Sequence, residues 1–191
     1  MCSTIIDIYT APHVLLRPAV IGDARLLGKI HAASWKFAYK GILPDIYLEN
    51  EIDNDRAAHW ELKMSKLQQE KRMAMIAEIK EPNGEHVTIG FVCAEWPKDS
   101  PWGALLDNLH VLPEYQGLGV GKLMMQAVIQ WAKQQGVSQL YLYVLKDNNK
   151  AIRIYERYGW QFSGQEIHNL GGKDLNCLRY FYYLQKPNGV L

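Results

Sequence analysis

The sequence predicts a mixed α/β fold: a mostly antiparallel central sheet of about seven strands with helices on both faces. Strand-length runs, alternating or apolar, fall at residues 14–17, 73–79, 88–96, 103–111, 140–145, 160–167 and 175–184. Stretches with helical spacing of apolar residues separate them. Their order is strand, two or three helices, three antiparallel strands, helix, strand, helix, two strands, which suits a sheet covered on both sides. At 191 residues and 48% hydrophobic, the chain reads as one domain with a well-buried core.

Each element has a local cause. The first strand stops at Pro18. Asp23 is placed to cap a helix carrying Ala24, Leu27, Ile30, His31, Ser34 and Trp35 along one side. Gly41 and Pro44 break the segment 37–48. Asp53 or Asp55 starts a second helix whose apolar positions are Ala57, Trp60, Leu62, Met64 and Leu67. Pro82-Asn83-Gly84-Glu85 is a turn between two strands, with Asn-Gly as the hairpin signal. Further on, Val120, Leu123, Met124, Ala127, Val128 and Trp131 form the stripe of a core-facing helix that Gly136 ends. Asn148 is suited to cap a helix running to Tyr158, with Gly159 after it. The last two strands join across Gly171-Gly172, and 175–184 is expected as an exposed edge that a second copy could pair with, so the chain is read as a monomer or homodimer.

Composition removes several functions. The 21 basic and 20 acidic residues leave no excess charge for neutralising nucleic-acid phosphates. Cys2, Cys93 and Cys177 are odd in number and far apart, which fits reduced thiols in a cytoplasmic protein. The first residues lack a basic segment followed by a long apolar one, so no secretion signal is expected. No run approaches the roughly 18 apolar residues of a membrane span, and no membrane partner is expected. His31, His59, His86 and His168 lack metal-ligand spacing, so no metal is expected, and no Gly-x-Ser-x-Gly elbow offers a serine nucleophile.

The segment Gln116-Gly117-Leu118-Gly119-Val120-Gly121-Lys122 follows a strand and opens a helix. Backbone N–H groups in such a loop sit at the positive end of a helix dipole and favour a phosphate. Spacing excludes two phosphate loops: Gln116 and Leu123 stand where a P-loop needs glycine and a hydroxyl, and Lys122 where a dinucleotide loop needs its third glycine. What remains, Gln116-x-x-Gly119-x-Gly121, resembles the acetyl-CoA pyrophosphate loop of the GCN5-related N-acetyltransferase (GNAT) superfamily. A second motif of that family, Asn-x-x-Ala-x-x-x-Tyr-x-x-x-Gly-Phe, is matched by Asn148, Ala151, Tyr155 and Gly159, with Trp160 replacing Phe. Leu16-Arg17-Pro18-Ala19 and Trp35-x-x-x-Tyr39-x-Gly41-x-Leu43-Pro44 are similar to a bacterial subgroup. The resemblance spans residues 14 to 184.

The resemblance implies the GNAT acyl-CoA N-acyltransferase fold, acetyl-CoA as co-substrate, no metal, and direct transfer to a primary amine in a ternary complex. It implies a strand splayed from its neighbour, so that the backbone of Leu109 and Val111 pairs with the pantetheine arm as an added strand would. Val111 N–H would donate to the oxyanion. Gly117, Leu118, Gly119, Val120 and Gly121 would hold the pyrophosphate, with Gln116 bonding a phosphate or bracing the turn and Lys122 adding charge or lying solvated. Asn148 would contact the co-substrate, cap its helix, or both. Transfer with a longer acyl-CoA, or a catalytically silent CoA-binding sensor or scaffold, are the alternatives.

Amine acetylation needs an acid for the leaving thiolate and a base for the amine. Tyr155 matches the family's acid, and a phenol with its ordinary pKa of about 10 keeps its proton at neutral pH. The base is less direct. Where some members carry glutamate, this chain has Leu105, and Asp107 two residues on shares its face because strand side chains alternate. Asp107 is thus the candidate base or water-positioner, or else an acid that only binds the amine or is salt-bridged in the cleft. A carboxylate with its ordinary pKa near 3.9 is a weak base for an ammonium, so the first role asks for burial or a relaying water. His110 falls on the opposite face by the same alternation and reads as a packing histidine. Trp35 and Tyr39, with Tyr47, lie where the family forms its acceptor site, as a cation–π pocket for an amine or as packing; Glu49 and Glu51 could add charge there.

Overall fold

Seven extended segments pair side by side in the computed structural model, which describes residues 14–66 and 71–184. The strands are β1 Val14–Pro18, β2 Arg72–Lys80, β3 His86–Glu95, β4 Ala104–Val111, β5 Gln139–Leu145, β6 Gln161–Leu170 and β7 Lys173–Tyr183. The helices are α1 Ala24–Ala38, α2 Ile52–Ser65, α3 Val120–Gln134 and α4 Asn149–Arg157. Sheet order is β1-β2-β3-β4-β5-β7-β6, and every neighbouring pair is antiparallel except β4 and β5.

The sheet buries both faces. On one, α3 sets Val120, Leu123, Met124 and Val128 against Val92, Ala94, Leu106, Leu140 and Leu142. On the other, α1 and α2 bury Leu27, Ile30, Trp60 and Met64 over Ala74, Ile76, Phe91 and Cys93. The same layer reaches β5 and β7 through Trp35, Leu43, Tyr47 and Ile52, which meet Leu145, Leu175 and Cys177. Double coverage explains why residues 74–78 of β2 are all buried rather than alternating. Cys93 and Cys177 are buried thiols, and Cys2 lies outside the described residues, as does the amino-terminal segment read for a secretion signal. No helix among the described residues is long and apolar enough to cross a membrane.

Three local expectations are corrected. Asp23 precedes α1 without capping it: its carboxylate accepts from the Arg17 guanidinium at 2.8 and 3.0 Å and from Val20 N–H at 2.8 Å. The cation arriving from β1 outcompetes the helix N–H groups, since a charge-assisted pair is the stronger bond. Helix α2 starts at Ile52 behind a wide π turn, Tyr47–Glu51, and Leu62 is 61% exposed because Trp60 and Met64 take the inward side; Leu67 lies outside the described residues. Finally, β7 is not an edge. It lies between β5 and β6, paired with β5 from Gln139↔Tyr183 to Leu145↔Cys177, because this inner position buries Leu175, Cys177 and Tyr180. The edges are β1 and β6.

The Arg17 hydrogen bond holds the Asp23 carboxyl below its ordinary range, helped by Val20 N–H and opposed by burial. A depressed folded pKa adds stability that is whole above the unfolded value near 3.9 and is lost as pH falls through the folded value. Asp23→Asn is therefore expected to cost about 1 kcal/mol at neutral pH, screening by solvent included. Urea melts of the two proteins should converge in acid, below pH 3.9; a constant difference down to acid pH would contradict the linkage.

Candidate active site

The parallel pair β4–β5 touches at only two positions, Ala104↔Leu140 and Leu105↔Tyr141. Beyond Leu105 the strands diverge and a gap opens. Leu112 N–H donates to the Ile89 carbonyl at 2.9 Å, so by antiparallel alternation His110 turns its backbone toward β3 while Leu109 and Val111 turn theirs into the gap. Gly103 allows the closed end: a Cβ there would lie 2.2 Å from the Gln139 carbonyl oxygen.

The glycine loop stands at the mouth of this gap, between the end of β4 and the start of α3. Gly117 and Gly119 have φ of 88° and 81°, a region costly for side-chain residues, and a Cβ on either would meet nothing within 4 Å. The loop is therefore open on its ligand side. Gly121 lies over Leu109, whose Cδ2 would be 3.6 Å from an added Cβ. Because α3 begins at Val120, the N–H groups around Gly119, Val120, Gly121 and Lys122 are the helix's first, unpaired donors. Leu118 and Lys122 are exposed. Gln116 braces the turn: its Nε2 donates to the Val111 carbonyl at 3.1 Å, and its Oε1 accepts from Lys150 of α4 at 2.5 Å. Asn148 caps α4, its Oδ1 accepting Ala151 N–H at 3.1 Å.

Tyr155 is half-buried on α4, 5.9 Å from the Trp160 ring, and burial pushes its phenol up to about 12. Tyr39, just past α1, is raised by burial and secondarily by Tyr155, so the two phenols share one neighbourhood. Trp35 stacks edge-on to Tyr39 at 5.1 Å but is only 8% exposed, and the Arg56 guanidinium covers its ring at 4.8 Å. The chain's own arginine fills that cation–π slot, so Trp35 forms a wall while Tyr39 stays half-buried. Tyr47 is also buried, donating to Asp55, and Glu49 and Glu51 are exposed.

Strand β4 carries a bulge that sequence periodicity does not reveal. Cys93 pairs with Asn108 and Ala94 with Leu106, which leaves Asp107 as the extra residue. Asp107 accepts from Lys63 of α2 and from the Asn108 amide. Lys63 also reaches Glu95 at 3.4 Å, and Arg72 meets Glu95 at 2.8 Å. The bulge shifts the alternation, and His110 lands opposite Phe91 on the same α1–α2 face as Asp107. The expectation of opposite faces is thus overturned by one inserted residue.

Around His110 the histidines that look scattered in sequence converge. Its Nδ1 is 2.9 Å from Ser34 Oγ, its ring 4.5 Å from His31, and His31 is 6.1 Å from His59. Trp60 Nε1 donates to His31 Nδ1 at 3.0 Å. Burial pushes His110 down to about 4 and lowers His31 and His59. Among the described residues no group of His, Cys, Asp or Glu is arranged to hold a metal. Tyr141 is another residue that no motif marks: burial raises its phenol first, and the charges of Glu95, Asp107 and Glu166 add to this.

The gap with its outward backbone and the glycine loop both lie within residues 38–160, which match the family described as acetyltransferase (GNAT) family. The chain belongs to the GNAT family. Among solved structures, the GNAT fold recurs in the PaiA N-acetyltransferase of Thermoplasma acidophilum in complex with coenzyme A, at 22% identity over 88% of this chain and 99% of that one, TM-score 0.65. It recurs in yncA of Salmonella typhimurium with its cofactor acetyl-CoA, at 18% identity over 93% and 97%, TM-score 0.64. The spermine/spermidine N(1)-acetyltransferase of Bacillus subtilis is 38% identical over 73 residues, 37% of this chain and 48% of that protein. A ribosomal protein bS18-alanine N-acetyltransferase of Haemophilus influenzae is 39% identical over 72 residues, 38% and 47%. The chain spans about half the length of these curated relatives.

Proposed function

We propose that the protein is an acetyl-CoA-dependent N-acetyltransferase that moves the acetyl group directly to a primary amine. The observation that carries this is the β4–β5 gap: pairing stops at Leu105, Leu109 and Val111 turn their backbone into the opening, and α4, which carries Tyr155, is tied to the glycine loop through Lys150 and Gln116. The pantetheine arm would pair with Leu109 and Val111 as an added strand. The pyrophosphate would take the N–H groups from Gly117 to Gly121, with Gln116 bracing the turn and Lys122 lending charge. Tyr155 would give its proton to the departing thiolate, and Val111 N–H would steady the developing oxyanion.

The carboxylates nearest Tyr141 already hold cations of the chain, Glu95 and Asp107 through Lys63 and Arg72 and Glu166 through Arg179, so a cationic acceptor would have to displace one of them. Relatives named for spermine, spermidine and an alanine of ribosomal protein bS18 support an amine. Asp107 is engaged by Lys63 and Asn108, which weighs for anchoring the amine or a water over taking a proton.

The test is thiol release from acetyl-CoA with spermine, spermidine, aminoglycosides, free amino acids and peptides with free amino termini. Release with at least one amine, first order in protein, is expected. Tight CoA binding without release from any amine would sink the enzyme reading, and faster release from a longer acyl-CoA would reassign the donor.

A further inference from the structure

We propose that His110 takes the proton of the attacking amine, with Ser34 orienting its ring. This rests on the N-acetyltransferase reading and supplies the base that reading lacks.

The base must be neutral, lie on the face the amine approaches, and keep a lone pair free. Leu105 has no proton-accepting atom, and both Lys63 and Asn108 occupy Asp107. His110 sits in the chain between Leu109 and Val111, the two residues whose backbone lines the gap, so its Cα is about 3.8 Å from each of theirs. The bulge puts its side chain on the α1–α2 face, with Asp107, and the ring is half-buried.

Its two nitrogens divide the work. Nδ1 lies 2.9 Å from Ser34 Oγ, while Nε2 has no hydrogen-bond partner among the described residues. With Nδ1–H donating to Ser34, the Nε2 lone pair is the basic site, and the same bond persists in the imidazolium. His31 is held neutral next to it: the indole N–H of Trp60 can only donate, so His31 Nδ1 accepts and the His31 proton sits on Nε2. The charges acting on His110 are Asp107 on its own strand and Arg56 from α2, with His31 on α1 in ring contact and His59 on α2 beyond it as neutral neighbours. Burial holds His110 down to about 4, with Asp107 favouring the imidazolium and Arg56 opposing it, so the imidazole is neutral and takes the proton only once N–C bond formation has made the amine N–H acidic. Asp107 thereby gains a role: it compensates the charge that His110 acquires.

The step balances. The amine lone pair forms the N–C bond to the acetyl carbon, and the N–H proton passes to His110 Nε2. The C–S electron pair leaves with sulfur, which takes the Tyr155 proton. Imidazolium and phenolate are then reset through solvent, so amine and acetyl-CoA become amide and CoA thiol.

The test compares wild type with His110→Asn, whose amide can keep the bond to Ser34, using acetyl-CoA and whichever amine of the panel turns over, spermine first. At neutral pH, kcat should fall about 100-fold or more while the KM for acetyl-CoA and the melting temperature hold. The loss should shrink for acceptors of lower amine pKa, and imidazole should restore part of the rate to His110→Gly. Ser34→Ala should lose less than His110→Asn. Wild-type turnover with full rate in His110→Asn overturns the assignment alone. So does a loss that ignores amine pKa and resists imidazole, because that marks a structural role. If wild type binds acetyl-CoA and acetylates no amine, the enzyme reading and this assignment fall together.

Discussion

Tyr155→Phe is expected to lower kcat by about 100-fold or more, the scale of losing a positioned general acid. CoA affinity should stay within about two-fold, because the ring that packs on Trp160 is kept and only the transition-state interaction goes. The fold should be unaffected, since the Tyr155 hydroxyl has no hydrogen-bond partner among the described residues. Burial drives the phenol up to about 12, so it holds its proton throughout the range in which amines become free bases. A pH–rate profile of the wild type should therefore show no alkaline limb from Tyr155 well past pH 9, about three units below its pKa. Stopped-flow thiol release and CoA titration check both halves. An unchanged kcat would remove the acid role, and an equal loss of CoA binding would make Tyr155 a contact only.

Gly103→Ala should be the most damaging small substitution for the fold. The residue has φ of 85°, and a Cβ would sit 2.2 Å from the Gln139 carbonyl oxygen, a backbone atom that cannot swing away. Left-handed strain and the clash together should cost about 2–4 kcal/mol, lowering the melting temperature by about 10 °C. The functional consequence follows from position. Gly103 precedes the only two β4–β5 pairs, so wedging the strands apart there also alters the gap that Leu109 and Val111 line. Calorimetry and CoA titration should both shift. Wild-type stability would show that the close approach at Gln139 is unnecessary.

Much of the donor half was legible because it is local. The glycine spacing, the Asn148 cap and the Tyr155 helix are short-range features, and each lies where its motif predicts. The fold class was legible for a similar reason, since strand and helix periods are written in consecutive residues. The acceptor half was not. Lys63, Glu95 and Asp107 come from three elements far apart in sequence. Sequence left Trp35 either lining an amine pocket or packing, and Arg56 from α2, which covers its ring, decides for packing.

His110 shows the division most sharply. Alternation alone puts it opposite Asp107, because a strand with period two allows nothing else. One unpaired residue in β4, whose presence depends on how β3 lies alongside, reverses that outcome. The chain by itself determined the strands, the glycine loop and the helix that carries Tyr155, since these depend on neighbours in sequence. Only the tertiary structure decided where the sheet splays, which carboxylates are already paired, and that three histidines meet on the α1–α2 face of the sheet. Those outcomes depend on contacts between distant segments, which no local period or motif encodes.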